Sequence, residues 1–353
     1  MNSRSFSFFW YPIIVAGWLS IIFLFLMIPK IHQKLVTARL SLTILVPPAM
    51  FDEQTFKKFE KESGIALHVA YYEDSQSLLS KMRTTGGKDY DLIMPDDHSI
   101  ELLKQEGLLK KIQPDKIAAW SLIFPQLMGH YFDKTNEYAV PYYLGVYGIG
   151  YSTDDFPQGI PLDRWDILFS PGKYTVCMTD EAREAVMLAA LHRFGSINAL
   201  TNKEKLAEIK QVLQQQKKHI ETYSIERAAS LLKTKSCQLA LVLSSEYMRY
   251  KAHTPNLGFV IPSSGSLAVI DAFAIPAATQ KDELVYALLN FLLRPDVIEH
   301  NAALYGYCPA RTDVAALDKE WCTNLIENIN RYDFLRNIIP DQEINQLWID
   351  VFA

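Results

Sequence analysis

A chain of 353 residues, 49% of them hydrophobic, is long enough for two domains of ordinary size, each with its own core. Its formal charge of −5 is mild and no Lys/Arg-rich run occurs, so nucleic acid is not an expected partner. The first element stands apart from the rest. Ser5 to Pro29 carries no charged side chain, and "FFWYPIIVAGWLSIIFLFLMIP" is long enough to cross a bilayer as one helix. A cleaved signal would have a shorter apolar run and then small residues at the cut, whereas "KLVTARL" offers only a poor site. No cysteine follows for lipid attachment. An uncleaved anchor over residues 1–38 is expected. Arg4 precedes the span and Lys30, Lys34 and Arg39 follow it, so loop charge alone does not favour export of the C-terminal part.

Beyond the anchor, short apolar runs alternate with amphipathic stretches. "SLTILVP", "IALHVAYY" and "YDLIMP" read as strands. Between the first two, Phe56 and Phe59 fall at helical spacing and Gly64 stops the pattern; "SQSLLSKMRTTGG" similarly ends on glycines. That β-α-β-α-β order predicts a parallel sheet with right-handed crossovers. A second α/β series runs from "GIGYS" through "YTVCMTD", a helix from Glu181, a Gln/Lys-rich helix near 202–217, "CQLALVLS", "LGFVIP" and "LAVIDAFAIPAAT". Helices then occupy Lys281 to the end, with Leu284, Ala287, Leu288 and Phe291 on one stripe and Pro295 opening the next helix. Two α/β lobes without a flexible linker imply lobes joined by strands, with ligand in the crevice beyond the strand ends.

Enzyme signatures are absent: no GxSxG elbow, HExxH helix, phosphate loop or GxGxxG occurs, and no cofactor is expected. "DDH" at Asp96–His98 follows a strand and precedes a helix. Adjacent ligands rarely reach one metal ion, so Asp97 is expected as a helix N-cap. Glu181 and Glu184 sit where the helix dipole favours acids, by about 0.3–1 kcal/mol, and by themselves read as ordinary helix-start residues, with Arg183 pointing elsewhere round the helix. Asp271 is different. It lies in the apolar run "LAVIDAFAIP", where a carboxylate costs several kcal/mol unless it is paired or reaches solvent at a strand end. Tyr307 and the tyrosines of "VPYYLGVYGIGYS" supply ring faces. Rings and separated carboxylates together suit an organic cation.

The four cysteines show no CxxC pair or zinc spacing. Cys308 and Cys322 are close enough to close a small loop in an oxidising compartment, with isolated buried thiols as the alternative.

In the order "FEKESGI", "YDLIMP", "EGLLKKI", "VPYYLGVYGIGY", "TDEAREA", "IDAFAIP", "NFLLRPDV" and "GYCPA", the chain resembles the periplasmic spermidine/putrescine-binding proteins of polyamine ABC importers. The likeness extends from about Leu42 to Tyr307. It implies a two-lobed periplasmic-binding-protein (type II) fold with a hinge, with 39–144 plus 272–306 as one lobe and 145–271 plus 307–353 as the other. It further implies export, delivery of ligand to an inner-membrane ABC permease, and a periplasmic site tethered by the N-terminal helix. In such receptors acids pair with amines while rings sandwich the methylenes. Glu181 and Glu184 match the acids of the "TDDARE" helix, Asp271 the acid of the "DSLAIP" strand, and Tyr307 the tyrosine of the "GYP" turn.

The departures fall on the rings. Pro47, Pro48, Ala49 and Met50 stand where the family has a Trp-Thr-Glu-Tyr-like stretch, and Asp96 and His98 where it has serine and tyrosine. Leu243 and Val269 are aliphatic at ring-bearing positions. Asp96, His98, Tyr143 or Tyr147 are therefore candidates for new roles in the site. A receptor for another cationic or metal-chelate solute, or an anchored sensor that no longer transports, are the alternatives this leaves.

Overall fold

The computed structural model describes residues 40–160, 164–170, 172, 174–225, 227–251 and 253–353, together with Gly17, Trp18, Ser20 and Met27. The expected membrane span thus lies outside the described residues; among those described, no helix is long and apolar enough to cross a membrane.

The first series folds as its pattern predicts. Strand β1 (Ser41–Val46) pairs in parallel with β2 (Ala66–Tyr71) and with β3 (Leu92–Ile93). Helix α1 (Glu53–Ser63) starts at Asp52, whose carboxylate accepts from the Gln54 N–H, and stops at Gly64, which takes the left-handed conformation a side chain would resist. Helix α2 (Ser75–Thr85) opens with a capping box built on Asp74 and Ser77. Helix α3 (Asp97–Gln105) corrects the expected cap by one residue. Asp96 is the N-cap, accepting from the Ser99 N–H at 2.8 Å, while Asp97 turns inward. There Asp97 accepts from the Tyr131 hydroxyl at 2.6 Å and from the Ile270 N–H at 3.2 Å. A buried carboxylate needs such donors, and the interior position supplies them.

Strand β4 (Ala139–Ser152) is buried along almost its whole length and belongs to both halves of the molecule. Its first part pairs antiparallel with β9 (Ser266–Ala274), and its second part with β7 (Leu239–Leu243) and β8 (Leu257–Val260). Beyond β7 lie β5 (Val176–Met178) and β6 (Ile220–Tyr223), both parallel. Short strands β10 (Cys308–Pro309) and β11 (Tyr332–Phe334) add to β4 and β9.

Two large hydrophobic cores hang on this sheet. Val146, Ala268 and Phe334 belong to the first core; their neighbours Tyr147, Leu267 and Leu335 belong to the second. The chain therefore passes between cores at three places in adjacent strands or at their ends. On β7, Leu239 and Leu241 face the second core while Ala240 and Val242 face a smaller cluster on the opposite side, the period-2 alternation of a strand covered on both faces. The second core is capped by α4 (Ala182–Phe194) and α5 (Lys203–Gln216). Helix α6 (Ser244–Lys251) follows β7, and α7 (Asp282–Leu292), α8 (Pro295–Tyr305) and α9 (Lys319–Glu327) follow β9.

Residues 307–353 do not travel together, as the sequence suggested. Cys308, Val314, Leu325 and Phe334 pack in the first core, while Leu335, Ile339 and the last helix, α10 (Asp341–Phe352), pack in the second. The reason is covalent as well as apolar. Cys308 and Cys322 form a disulfide that ties α9 to β10. Cys177 and Cys237 are free, buried thiols.

Candidate functional site

Between the two cores lies a cleft of about 320 Å³. Glu181, Glu184, Asp271, Tyr307, Asp96 and His98, all expected from the sequence, line it together. So do Leu243, Val269, Pro47 and Met50, the positions where rings were missing, and Tyr147. Tyr143 is placed elsewhere: fully buried, it stacks beneath Tyr307 with ring centroids 4.6 Å apart and planes 13° from parallel.

Asp271 is carried by β9 at the floor. Its side chain is 6% exposed and makes no hydrogen bond or ion pair among the described residues. Burial holds its carboxyl well above the usual range, and the nearby Asp96 and Asp97 charges push the same way. Asp97, just beneath, is pushed by burial up to about 8, its two donors pulling the other way. Burial thus disfavours the charged form of both floor carboxyls, and a cation in the cleft would favour it.

The facing wall is the start of α4. Glu181 is its exposed N-cap residue, and its N–H donates to the Thr179 hydroxyl at 3.0 Å. Glu184, one turn on, is buried. The Thr179 hydroxyl donates to one of its oxygens at 2.6 Å and the Tyr147 hydroxyl to the other. Burial pushes the Glu184 carboxyl up to about 7 despite both donors, and Glu181 and Asp180 add to the push. Two hydroxyls that both donate leave Glu184 built to accept, the arrangement a charged carboxylate wants.

Asp96 and His98 come from the N-terminus of α3. The Asp96 carboxylate caps the helix and takes a 2.7 Å bond from the Ser75 hydroxyl. His98 is buried, with Nε2 4.0 Å from Asp341 of α10 and Nδ1 unpartnered among the described residues. Burial lowers its pKa; Asp96 and Asp341 oppose this and Arg183 adds to it. Among the described residues no group of three or more metal-ligating side chains is assembled.

Several cleft residues were missed or misread, Glu73 and Asp74 of the loop before α2 among them. Asp180, next to Glu181, lines the cleft and accepts from the Ile225 N–H at 3.2 Å. Arg183 does not point away. From the first turn of α4 it reaches the cleft and pairs with Asp341, while its other amino group donates to the Arg336 carbonyl at 2.9 Å. Asp341 had no signal beyond being an acid at a helix start. In all, eight carboxylates face one guanidinium and one imidazole across the lining. Such a cleft draws cations.

Residues 54–326 match the family described as bacterial extracellular solute-binding protein. This chain belongs to that family. A spermidine/putrescine-binding periplasmic protein of Salmonella typhimurium is 30% identical over 268 residues, covering 75% of this chain and 74% of that one. The putrescine-binding periplasmic protein PotF of Escherichia coli is 25% identical, covering 70% and 71%. Among solved structures, a putative spermidine/putrescine ABC transporter protein from Listeria monocytogenes superposes with a TM-score of 0.78 at 25% identity, covering 89% of this chain and 99% of that one. The two cores are thus the two lobes of the periplasmic-binding-protein fold, with the cleft between them. The family places it outside the cytoplasmic membrane, and the Cys308–Cys322 disulfide suits such a compartment.

Proposed function

We propose that this solute-binding protein captures a polyamine of the putrescine/spermidine type and hands it to an ABC permease. The observation that carries the reading is Asp271: a buried carboxylate without a protein partner among the described residues, at the floor of a cleft whose opposite wall carries Glu181 and Glu184. One ammonium of the ligand compensates Asp271, a second is taken by the Glu181/Glu184 wall, and the Tyr307 and Tyr147 rings flank the alkyl chain. Closure of the lobes is a population shift limited by how much better the ligand binds the closed form. The apolar stretch at 5–29 tethers the receptor to the membrane, supported by its length and lack of charge.

Calorimetry with putrescine, spermidine and spermine tests the cargo. Saturable heat with at least one amine, lost in Asp271→Ala, is expected; no heat at millimolar amine would sink the reading. A second reading rests on Leu243, Val269, Pro47 and Met50, which put aliphatic surface where the family resemblance calls for rings. Losing several cation–π partners at about 0.5–2 kcal/mol each favours a weaker polyamine site or a different organic cation, found by the same titration with a panel of amines.

A further inference from the structure

Two thiols take no part in the cleft. Cys177, in the middle of β5, and Cys237, just ahead of β7, are free and buried, 0% and 1% exposed. Val176 and Met178 turn to the second core, so Cys177 points through the other face of the sheet, into the small cluster it shares with Cys237. The N–H groups of Gln238 and Leu239 both donate to the Thr175 carbonyl, at 3.0 and 3.1 Å, which draws the entry of β7 against β5. The thiols meet there. Cys237 hydrogen-bonds to the Cys177 sulfur, and the Cys177 thiol donates onward to the Ser224 carbonyl at 3.5 Å. That order makes the two unequal. The bond from Cys237 draws the Cys177 thiol below its ordinary value, while the same contact and then burial push Cys237 up. Their cover is thin. Ala228, Ala229 and Leu232 of the short helix Ala228–Lys233 supply much of it, and a cluster of such small side chains opens locally at little cost.

We propose that Cys177 and Cys237 are a dithiol modification site, closed into a second disulfide by a disulfide-type oxidant. The Cys177 thiolate attacks one sulfur of the oxidant, whose S–S bond breaks, and one thiolate leaves and takes up the proton that Cys177 released. Cys237, deprotonated in turn, attacks the Cys177 sulfur of this mixed disulfide, and the second thiol departs. Two electrons and two protons pass from the pair to the oxidant, which ends as two thiols. A compartment that suits the Cys308–Cys322 bond supplies oxidants of this class. Thr179 and Asp180 of the cleft wall follow β5 directly, so the new bond anchors the base of that wall to the entry of β7. In the dithiol form described here, a reductant meets only Cys308–Cys322. None of this rests on the polyamine reading.

The test incubates the folded whole chain with oxidised glutathione, then denatures it, alkylates the remaining thiols and maps the peptides by mass spectrometry. Both thiols are expected to be lost together, with the Cys177 peptide joined to the Cys237 peptide and Cys308–Cys322 intact. Isolation of the chain with that bond already formed supports the same reading. Cys237→Ser keeps a hydrogen-bond donor but removes the resolving sulfur, so it should trap glutathione on Cys177. Thiols that both stay open to alkylation overturn the inference. So do glutathiones carried separately on the two cysteines of wild type, or cross-links from either one to Cys308 or Cys322. The wild-type map decides these outcomes even where the variant fails to fold.

Discussion

Asp271 is an unmet electrostatic demand within the fold, and on the proposed reading it is the demand that the cargo meets. Its burial without a partner among the described residues costs stability only when the group is ionised. An acid whose pKa is raised on folding contributes least to stability at high pH. Asp271→Asn should therefore be more stable than wild type at pH 8, by about 1–3 kcal/mol, and the difference should fade as pH falls and wild type protonates. The same variant should lose about 2–5 kcal/mol of binding free energy for a cationic cargo. Urea denaturation at two pH values and one titration check both. Glu184 extends the argument, since burial moves its carboxyl from near 4.5 up to about 7. Glu184's contribution to the stability of the free protein is then fullest below 4.5 and is lost as pH rises through 7, while affinity for a cation rises over that window. Cargo binding near pH 7 should release protons, seen as a calorimetric enthalpy that varies with the buffer's ionisation heat. Glu184→Gln should reduce the release, Asp271 supplying the remainder; heat independent of buffer would contradict it.

Among the elements, α8 and the glycine that ends it show how tightly Tyr307 is placed. Gly306 has φ 80°, and a Cβ there would lie 2.1 Å from the Ser245 carbonyl oxygen of α6. Gly306→Ala must therefore push backbone against backbone. A loss on the order of 3 kcal/mol is expected, read as a lower Tm, with cargo affinity falling too because Tyr307 moves. This contact also marks the limit of what sequence patterns reveal. Periodicity locates β1, β2, α1, α2 and α7 because each buries one regular face, and Gly64 and Pro295 punctuate helices by their own stereochemistry. Asp96 and Asp97 are harder. Both are acids at a helix start, and only the packing of α3 against β9 decides which caps and which turns in toward Ile270. Of the candidate site, the acids on α4 and β9 are legible as paired demand. Arg183 and Asp341 are not, since 158 positions separate them and neither carries a local signal. The division of 307–353 between lobes escapes periodicity for a similar reason: a disulfide and a short strand, not an amphipathic face, hold Cys308 to the first core.

At the scale of the molecule, that disulfide closes a short loop, its cysteines 14 positions apart, at the base of the first lobe. Loop-closure entropy makes it worth about 3 kcal/mol. Reduction should lower Tm without unfolding the chain at room temperature, and Cys308→Ser/Cys322→Ser should match the reduced protein; an unchanged Tm under reductant would argue that the bond constrains little. The two lobes meet through β4, β9 and the turn after β11, with crossings at Val146–Tyr147, Leu267–Ala268 and Phe334–Leu335. Any rotation of one lobe against the other takes these three points as its axle. Groups near the axle sweep short arcs, and Tyr147, Val269 and Asp271 lie within a few residues of it. Groups on the helix starts, Glu181, Arg183 and His98, sit farther out along the levers. On the proposed reading, cargo would meet the floor of the cleft in nearly its final geometry, before the jaws move, and the wall contacts would form last. Substitutions at the floor should govern how often an encounter is productive, and those on the walls how long the captive stays.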